Sequence, residues 1–122
     1  MLLADLSAEV IHIEPPPGDD AREFGPYAGK VDKNHSAYFA SLNRNKKSLV
    51  LDLKQEKGKE ILRQLIRVSD VIVDNLRPDT MQKLGFGWDK VQAINPAVIY
   101  VPRYPDLAVT RRRNTLPARL TI

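Results

Sequence analysis

Asn43-Arg44-Asn45-Lys46-Lys47-Ser48-Leu49-Val50-Leu51-Asp52-Leu53-Lys54 and Asp70-Val71-Ile72-Val73-Asp74-Asn75-Leu76-Arg77-Pro78 decide the fold of this 122-residue chain. Each is a short apolar run that opens into polar residues, the pattern of a buried strand delivering a loop. Between them, Glu56 to Val68 places Ile61, Leu62, Leu65, Ile66 and Val68 at helical spacing and leaves Lys57, Lys59, Arg63 and Arg67 on the other side. That spacing predicts an amphipathic helix. Strands alternating with helices along the chain imply right-handed crossovers and a mostly parallel sheet.

Working outward, Glu9-Val10-Ile11-His12-Ile13-Glu14 alternates apolar and polar residues and reads as a further strand, ended by Pro15-Pro16-Pro17-Gly18. Residues 18–34 are polar and read as a long surface loop, followed by a short helix from Ser36 to Leu42 and the strand Leu49 to Leu53. After the strand Val71 to Val73, Asp79 is placed to cap a short helix running through Leu84. Trp88 to Ile94 forms another helix, and Val98 to Val101 the last strand. The expected class is α/β: a Rossmann-like, mostly parallel sheet with flanking helices.

Composition narrows the function. With 43% hydrophobic and 28% charged residues the chain is globular, and no apolar run approaches the roughly 18 residues of a membrane span. The start, Met1-Leu2-Leu3-Ala4-Asp5-Leu6, lacks the basic region of a signal peptide. A soluble, cytoplasmic protein is the expectation, with a mitochondrial location left open for a chain that has lost a targeting segment. The absence of cysteine excludes disulfides, thiolate nucleophiles and Cys-ligated metals, and no metal is expected. The net charge of +4 is unevenly spread: residues 1–102 are balanced, and the excess lies in 103–122, where Arg103, Arg111, Arg112, Arg113 and Arg119 face only Asp106. Such a tail can meet phosphate backbones non-specifically, but only Tyr104 accompanies it as a stacking residue, so specific nucleic-acid recognition is not expected.

In parallel sheets, ligands bind beyond the carboxyl ends of the strands. Asp52 to Lys54 and Asn75 to Arg77 occupy such ends, and no Gly-x-Gly-x-x-Gly follows either strand, so a dinucleotide fingerprint is missing. The candidates are instead the cations Lys54, Arg77 and Lys83 beside the amide of Asn75, a set suited to a phosphorylated cofactor. Lys46 and Lys47 are either further phosphate contacts or a solvated pair. His12 and His35 have no nucleophile and acid at triad spacing and read as structural, and Phe86 and Trp88 read as core anchors.

Leu2 to Glu14, Asn43 to Lys54, Asp70 to Trp88 and Ile94-Asn95-Pro96-Ala97-Val98-Ile99-Tyr100 resemble, in order, the amino-terminal part of the family III CoA-transferases. This group includes formyl-CoA:oxalate and carnitine CoA-transferases and α-methylacyl-CoA racemase. The resemblance implies a Rossmann-like large domain, interlocked homodimers, and coenzyme A or acyl-CoA as substrate together with a carboxylic acid. It also implies that Leu51, Asp52, Leu53, Lys54, Asn75, Leu76, Arg77 and Lys83 match segments contacting the CoA nucleotide. In the family's chemistry a carboxylate attacks the thioester to give an enzyme-bound anhydride, which the released CoA thiolate then opens. The nucleophilic aspartate of relatives lies beyond the matched region, so Asp52, Asp70 and Asp74 are not assigned catalysis. Pro15 stands where relatives carry an arginine, which removes one cationic contact.

The resemblance covers residues 1–102 as part of the large domain, with an expected strand and loop missing ahead of Leu2, and leaves 103–122 as a non-matching basic tail. An inactive fragment is the first reading; a non-catalytic CoA-binding or subunit-pairing module and a basic interaction protein are the alternatives. Relatives follow the last strand with Ser-Gly-Phe-Gly, whereas this chain reads Pro102-Arg103-Tyr104-Pro105-Asp106-Leu107-Ala108. If Arg103 to Ala108 were encoded CGA TAT CCG GAT TTG GCA, which codon degeneracy permits without requiring, entry at the last base of the arginine codon would read Ile-Ser-Gly-Phe-Gly. Sequencing the DNA from the Tyr100 codon onward is expected to show that motif in a shifted frame; its absence from every frame would make the tail a genuine one.

Overall fold

The alternation of Val10-Ile11-His12-Ile13-Glu14 produces the first strand, and its last residue organises what surrounds it. The computed structural model describes residues 2–29, 35–77 and 79–102, in two units that divide between Lys59 and Glu60. The expectations placed on residues 30–34 and on the tail from Arg103 lie outside the described residues.

The first unit contains α1 (Leu2–Asp5), β1 (Val10–Glu14), a single turn of 3-10 helix (Asp20–Glu23), α2 (Ala37–Asn43) and β2 (Lys46–Val50). β1 and β2 pair in parallel, from Val10 opposite Lys46 to Glu14 opposite Val50. The strand expected over Leu49 to Leu53 therefore starts earlier and stops at Val50, because the Asn45 backbone, at φ 62, turns the chain directly out of α2 into the ladder. Ser36 caps α2: its Oγ accepts from the Phe39 N–H at 3.0 Å and donates to the Phe24 carbonyl at 2.6 Å. Asp5, at the end of α1, accepts from Arg44 Nη2 at 2.8 Å and Asn45 Nδ2 at 3.0 Å, which ties the start of the unit to the turn before β2.

Glu14 is buried, at 2% exposure, and all its acceptor positions are used. Oε2 accepts from Arg22 Nε at 2.6 Å and from the Asp19 N–H at 3.1 Å; Oε1 accepts from Arg22 Nη2 at 2.8 Å and from Ser48 Oγ at 2.7 Å. Arg22 also lies over the Phe39 ring, 3.7 Å from its centroid. The described part of the expected surface loop is thus held down, because a buried carboxylate must be matched by charge and hydrogen bonds. His12 belongs to the same support, with Nε2 at 3.0 Å from Asp19 Oδ2, in keeping with a structural role.

α3 (Glu56–Val68) begins in the first unit and continues into the second, which adds β3 (Val71–Asp74), α4 (Thr80–Lys83), α5 (Trp88–Ile94) and β4 (Ile99–Pro102). β3 and β4 form a second parallel ladder, from Val71 opposite Ile99 to Asp74 opposite Pro102. Leu62, Ile66, Phe86, Val91 and Val98 are the buried apolar residues of this unit. Ile61 and Val68 were expected on the apolar face of α3 but are 42% and 79% exposed, since Leu62 and Ile66, one turn apart, already fill the buried stripe. Asn95 closes the unit: its Nδ2 donates to the Ile66 and Ser69 carbonyls, both at 2.9 Å, satisfying acceptors at the end of α3. Asp79 does not cap α4 through its side chain; its backbone is left-handed, at φ 64, and the carboxylate takes no cap hydrogen bond. Val71, Val73, Ile99 and Val101 lie on one face of the second ladder and are exposed.

The Glu14 network carries a pH signature. Hydrogen bonding from Arg22, opposed by burial and aided by Ser48 and the Asp19 N–H, lowers the Glu14 pKa from 4.5 to about 2. A depressed carboxylate stabilises the fold fully above its unfolded pKa and loses that contribution as pH falls through the folded one. Chemical denaturation at stepped pH should show about 2–3 kcal/mol lost between pH 4.5 and 2, a slope removed by Glu14→Gln.

Candidate functional site

Leu51 to Lys54 leave β2 at its carboxyl end. Leu51 is buried and its N–H donates to the Glu14 carbonyl at 2.9 Å, so the segment starts from a fixed point. Asp52 Oδ1 accepts from the Lys54 N–H at 2.9 Å, and its carbonyl accepts from the Gln55 N–H at 3.1 Å. Those bonds make a tight turn into α3, with Leu53 half-buried and the Lys54 side chain exposed.

Gly58, missed by the sequence reading, shapes this turn. A Cβ on Gly58 would stand 2.2 Å from the Asp52 carbonyl oxygen and 2.8 Å from its carbon, distances no side chain tolerates. Its sequence signal is a glycine in the opening turns of an otherwise strong amphipathic helix, a place where glycine weakens the helix unless close packing requires it.

In the second unit, Asn75, Leu76 and Arg77 follow the carboxyl end of β3, and all are exposed. The Leu76 N–H donates to Asp74 Oδ1 at 2.7 Å, and the Arg77 carbonyl accepts from the Thr80 N–H at 3.1 Å, leading into α4. Lys83 ends α4 with its side chain exposed. Phe86 is buried, as a core anchor should be, whereas Trp88 is 41% exposed and stacks on Tyr100, with ring centroids 5.9 Å apart. Trp88 is therefore half of a surface aromatic pair rather than a core residue.

The cations divide by partnership. Arg22 is matched by Glu14, Arg44 by Asp5, Lys47 by Glu9 and Arg63 by Glu60, while Lys46 Nζ donates to Asn43 Oδ1 at 2.7 Å. Lys46 and Lys47 are thus engaged locally. Lys54, Arg77 and Lys83 have no ion-pair partner among the described residues. An exposed cation without a carboxylate keeps its full charge available to an anionic ligand. Among the described residues no group of three or more His, Asp or Glu is placed to hold a metal ion, and no helix is long and apolar enough to cross a membrane.

The sequence pattern of CoA-transferase family III matches residues 1–103. The chain belongs to CoA-transferase family III. It is 45% identical over 100 residues to the acetyl-CoA:oxalate CoA-transferase of Acetobacter aceti, covering 81% of this chain and 25% of that protein. It is 48% identical over 99 residues to the formyl-CoA:oxalate CoA-transferase of Streptomyces coelicolor, covering 81% of this chain and 23% of the relative. The crystal structure of a CaiB/BaiF family protein from Brucella suis superposes with a TM-score of 0.75 at 38% identity, over 82% of this chain and 27% of that one. The chain spans about a quarter of the length of these relatives. The mixed α/β fold with short parallel ladders is the one expected from the sequence.

Gly58→Ala should destabilise the chain by about 2–3 kcal/mol, because backbone rather than a flexible side chain must give way. Urea denaturation of the variant beside the parent protein measures this, and an unchanged midpoint would contradict the close approach.

Proposed function

We propose that this chain contacts the nucleotide part of coenzyme A for an enzyme that moves CoA between carboxylic acids. The observation that carries the reading is the position of cations without an ion-pair partner among the described residues: Lys54 in the first unit and Arg77 in the second, each on a segment leaving a parallel strand, and Lys83 on the short helix that follows one. CoA presents a diphosphate and a ribose phosphate, and exposed lysine and arginine side chains at strand ends suit such groups. Asn75 adds an amide able to donate to or accept from the ligand. Leu51 and Leu53 supply apolar surface beside Lys54, and Leu76 does so between Asn75 and Arg77.

Relatives named as CoA:oxalate CoA-transferases support a CoA thioester and an organic acid as the substrates of the whole enzyme. In the proposed chemistry an aspartate outside the matched region attacks the thioester carbon. The carbon–sulfur bond breaks, CoA leaves as a thiolate, and the resulting mixed anhydride carries the acyl group. None of Asp52, Asp70 and Asp74 takes that part in this reading: Asp52 and Asp74 are occupied in turning the chain, and Asp70 accepts from the Ile99 N–H through its carbonyl at 2.9 Å as β3 begins. We also assign this chain to a homodimeric assembly, as the family resemblance implies.

Isothermal titration of the chain with CoA tests the reading. Lys54→Ala, Arg77→Ala and Lys83→Ala are each expected to weaken CoA binding by about three- to tenfold, the loss of one charge-assisted contact at an exposed site. Lys47→Ala, which removes a cation already paired with Glu9, should leave it unchanged. Absence of CoA binding, with salt-sensitive binding to a DNA duplex in its place, would overturn the proposal in favour of a basic interaction protein.

A further inference from the structure

One carboxylate of the second unit is used on both oxygens, and its partners belong to different segments. Asp74 Oδ1 accepts from the Leu76 N–H at 2.7 Å, closing a turn immediately after β3. Asp74 Oδ2 accepts from the Tyr100 hydroxyl at 2.9 Å, on the neighbouring strand β4. The parallel register makes this reach possible: Asp74 stands opposite Pro102, and Tyr100 is two residues back on the same face. The Tyr100 ring then lies nearly parallel to the Trp88 indole, at 16° and 5.9 Å, at the start of α5.

These contacts join Leu76, Asp74, Tyr100 and Trp88 into one chain of support. It begins within the exposed Asn75–Arg77 segment and ends at the helix that follows the Leu84–Gly87 turn. Asp74 and Tyr100 are both half-buried, so each hydrogen bond is partly shielded from competing water. Burial and the adjacent Asp74 carboxylate raise the Tyr100 pKa, so the phenol keeps its proton and remains a donor at neutral pH.

We propose that Asp74 is a positioning residue: it sets the backbone of the Asn75–Arg77 segment before any ligand arrives, with Tyr100 as its second anchor. What the segment is positioned for rests on the CoA reading above, whereas the positioning itself rests on the geometry of Asp74. A loop ordered in advance loses less conformational freedom on binding, so the contacts of Asn75 and Arg77 yield more affinity. The conclusion expected from sequence alone, that Asp74 merely ends a strand, accounts for neither of its oxygens.

The test compares Asp74→Ala, Asp74→Asn and Tyr100→Phe with the parent chain by amide hydrogen exchange at Leu76 and by CoA titration. Asp74→Ala is expected to speed Leu76 exchange and weaken CoA binding by about tenfold each, the effect of losing a hydrogen bond to a charged acceptor. Tyr100→Phe, which keeps the ring against Trp88, should give about a threefold change in the same direction. Asp74→Asn retains an oxygen for the Leu76 N–H and should restore most of both. Arg77→Ala should cost less in the Asp74→Ala background than in the parent chain, a non-additivity that a purely structural role does not produce.

Unchanged Leu76 exchange in both Asp74→Ala and Tyr100→Phe would overturn the proposal, as would additive effects of Asp74→Ala and Arg77→Ala on CoA affinity. If Asp74→Ala does not fold, Tyr100→Phe and Asp74→Asn decide the exchange result. A parent chain that binds no CoA would overturn the functional reading alone, because Leu76 exchange still reports directly on positioning.

Discussion

Parallel pairing is the constraint on which this chain's organisation depends. Two parallel strands cannot be joined by a tight turn, so each ladder encloses a crossover: the 3-10 turn and α2 between β1 and β2, and α4 and α5 between β3 and β4. The crossover returns the chain to the same end of its ladder, so the loops leaving both strands emerge together. In the first unit, that is where Pro15 and Leu51 begin their segments; in the second, where Asn75 does. The position of these segments beyond the carboxyl ends of the strands is therefore a consequence of strand direction before it is a matter of side chains.

Within the first unit, the Glu14 carboxylate turns that geometry into a stable arrangement. A buried charge is costly unless fully matched, and Glu14 is matched by a bidentate arginine, a serine hydroxyl and a backbone N–H. Its partners come from the crossover and from β2, so one residue holds three parts of the unit in register. A cavity of about 230 Å³ lies beside it, lined by Glu14, Pro16, Pro17, Gly18, Arg22, Ser48 and Val50. Because Arg22 is already committed to Glu14, the positive charge in that cavity is neutralised.

The second unit uses smaller devices for the same purpose. Asn95 satisfies the carbonyls at the end of α3, and Asp74 ties its own strand end to β4 and to the following turn. In both units, polar side chains at strand and helix ends do the positioning, while the apolar core is modest: Leu62, Ile66, Phe86, Val91 and Val98 in the second, and Ala4 and Leu51 in the first. Membership of CoA-transferase family III gives these devices a context, since the matched region is the part of the relatives that this chain shares.

Local pattern was enough to determine much of this. The helix Glu56–Val68 and the helix Trp88–Ile94 have the bounds read from the sequence, because apolar periodicity and the residues flanking it act over a few neighbours. The segment Asn75–Arg77 was also legible as a strand end, since an apolar run ending in polar residues marks one, whereas the strand read over Leu49–Leu53 ends at Val50 and Leu51–Leu53 already belong to the turn. Tertiary structure decided the rest. Whether a lysine is paired depends on residues far along the chain, as with Lys47 and Glu9, and so does the capture of Arg22 by Glu14. The close approach of Gly58 to Asp52, the exposure of Trp88 and the double use of Asp74 arise only when separate segments are brought to hydrogen-bond or van der Waals distance. Periodicity reports which face of an element is apolar; the partner that face or side chain meets is set by packing between elements.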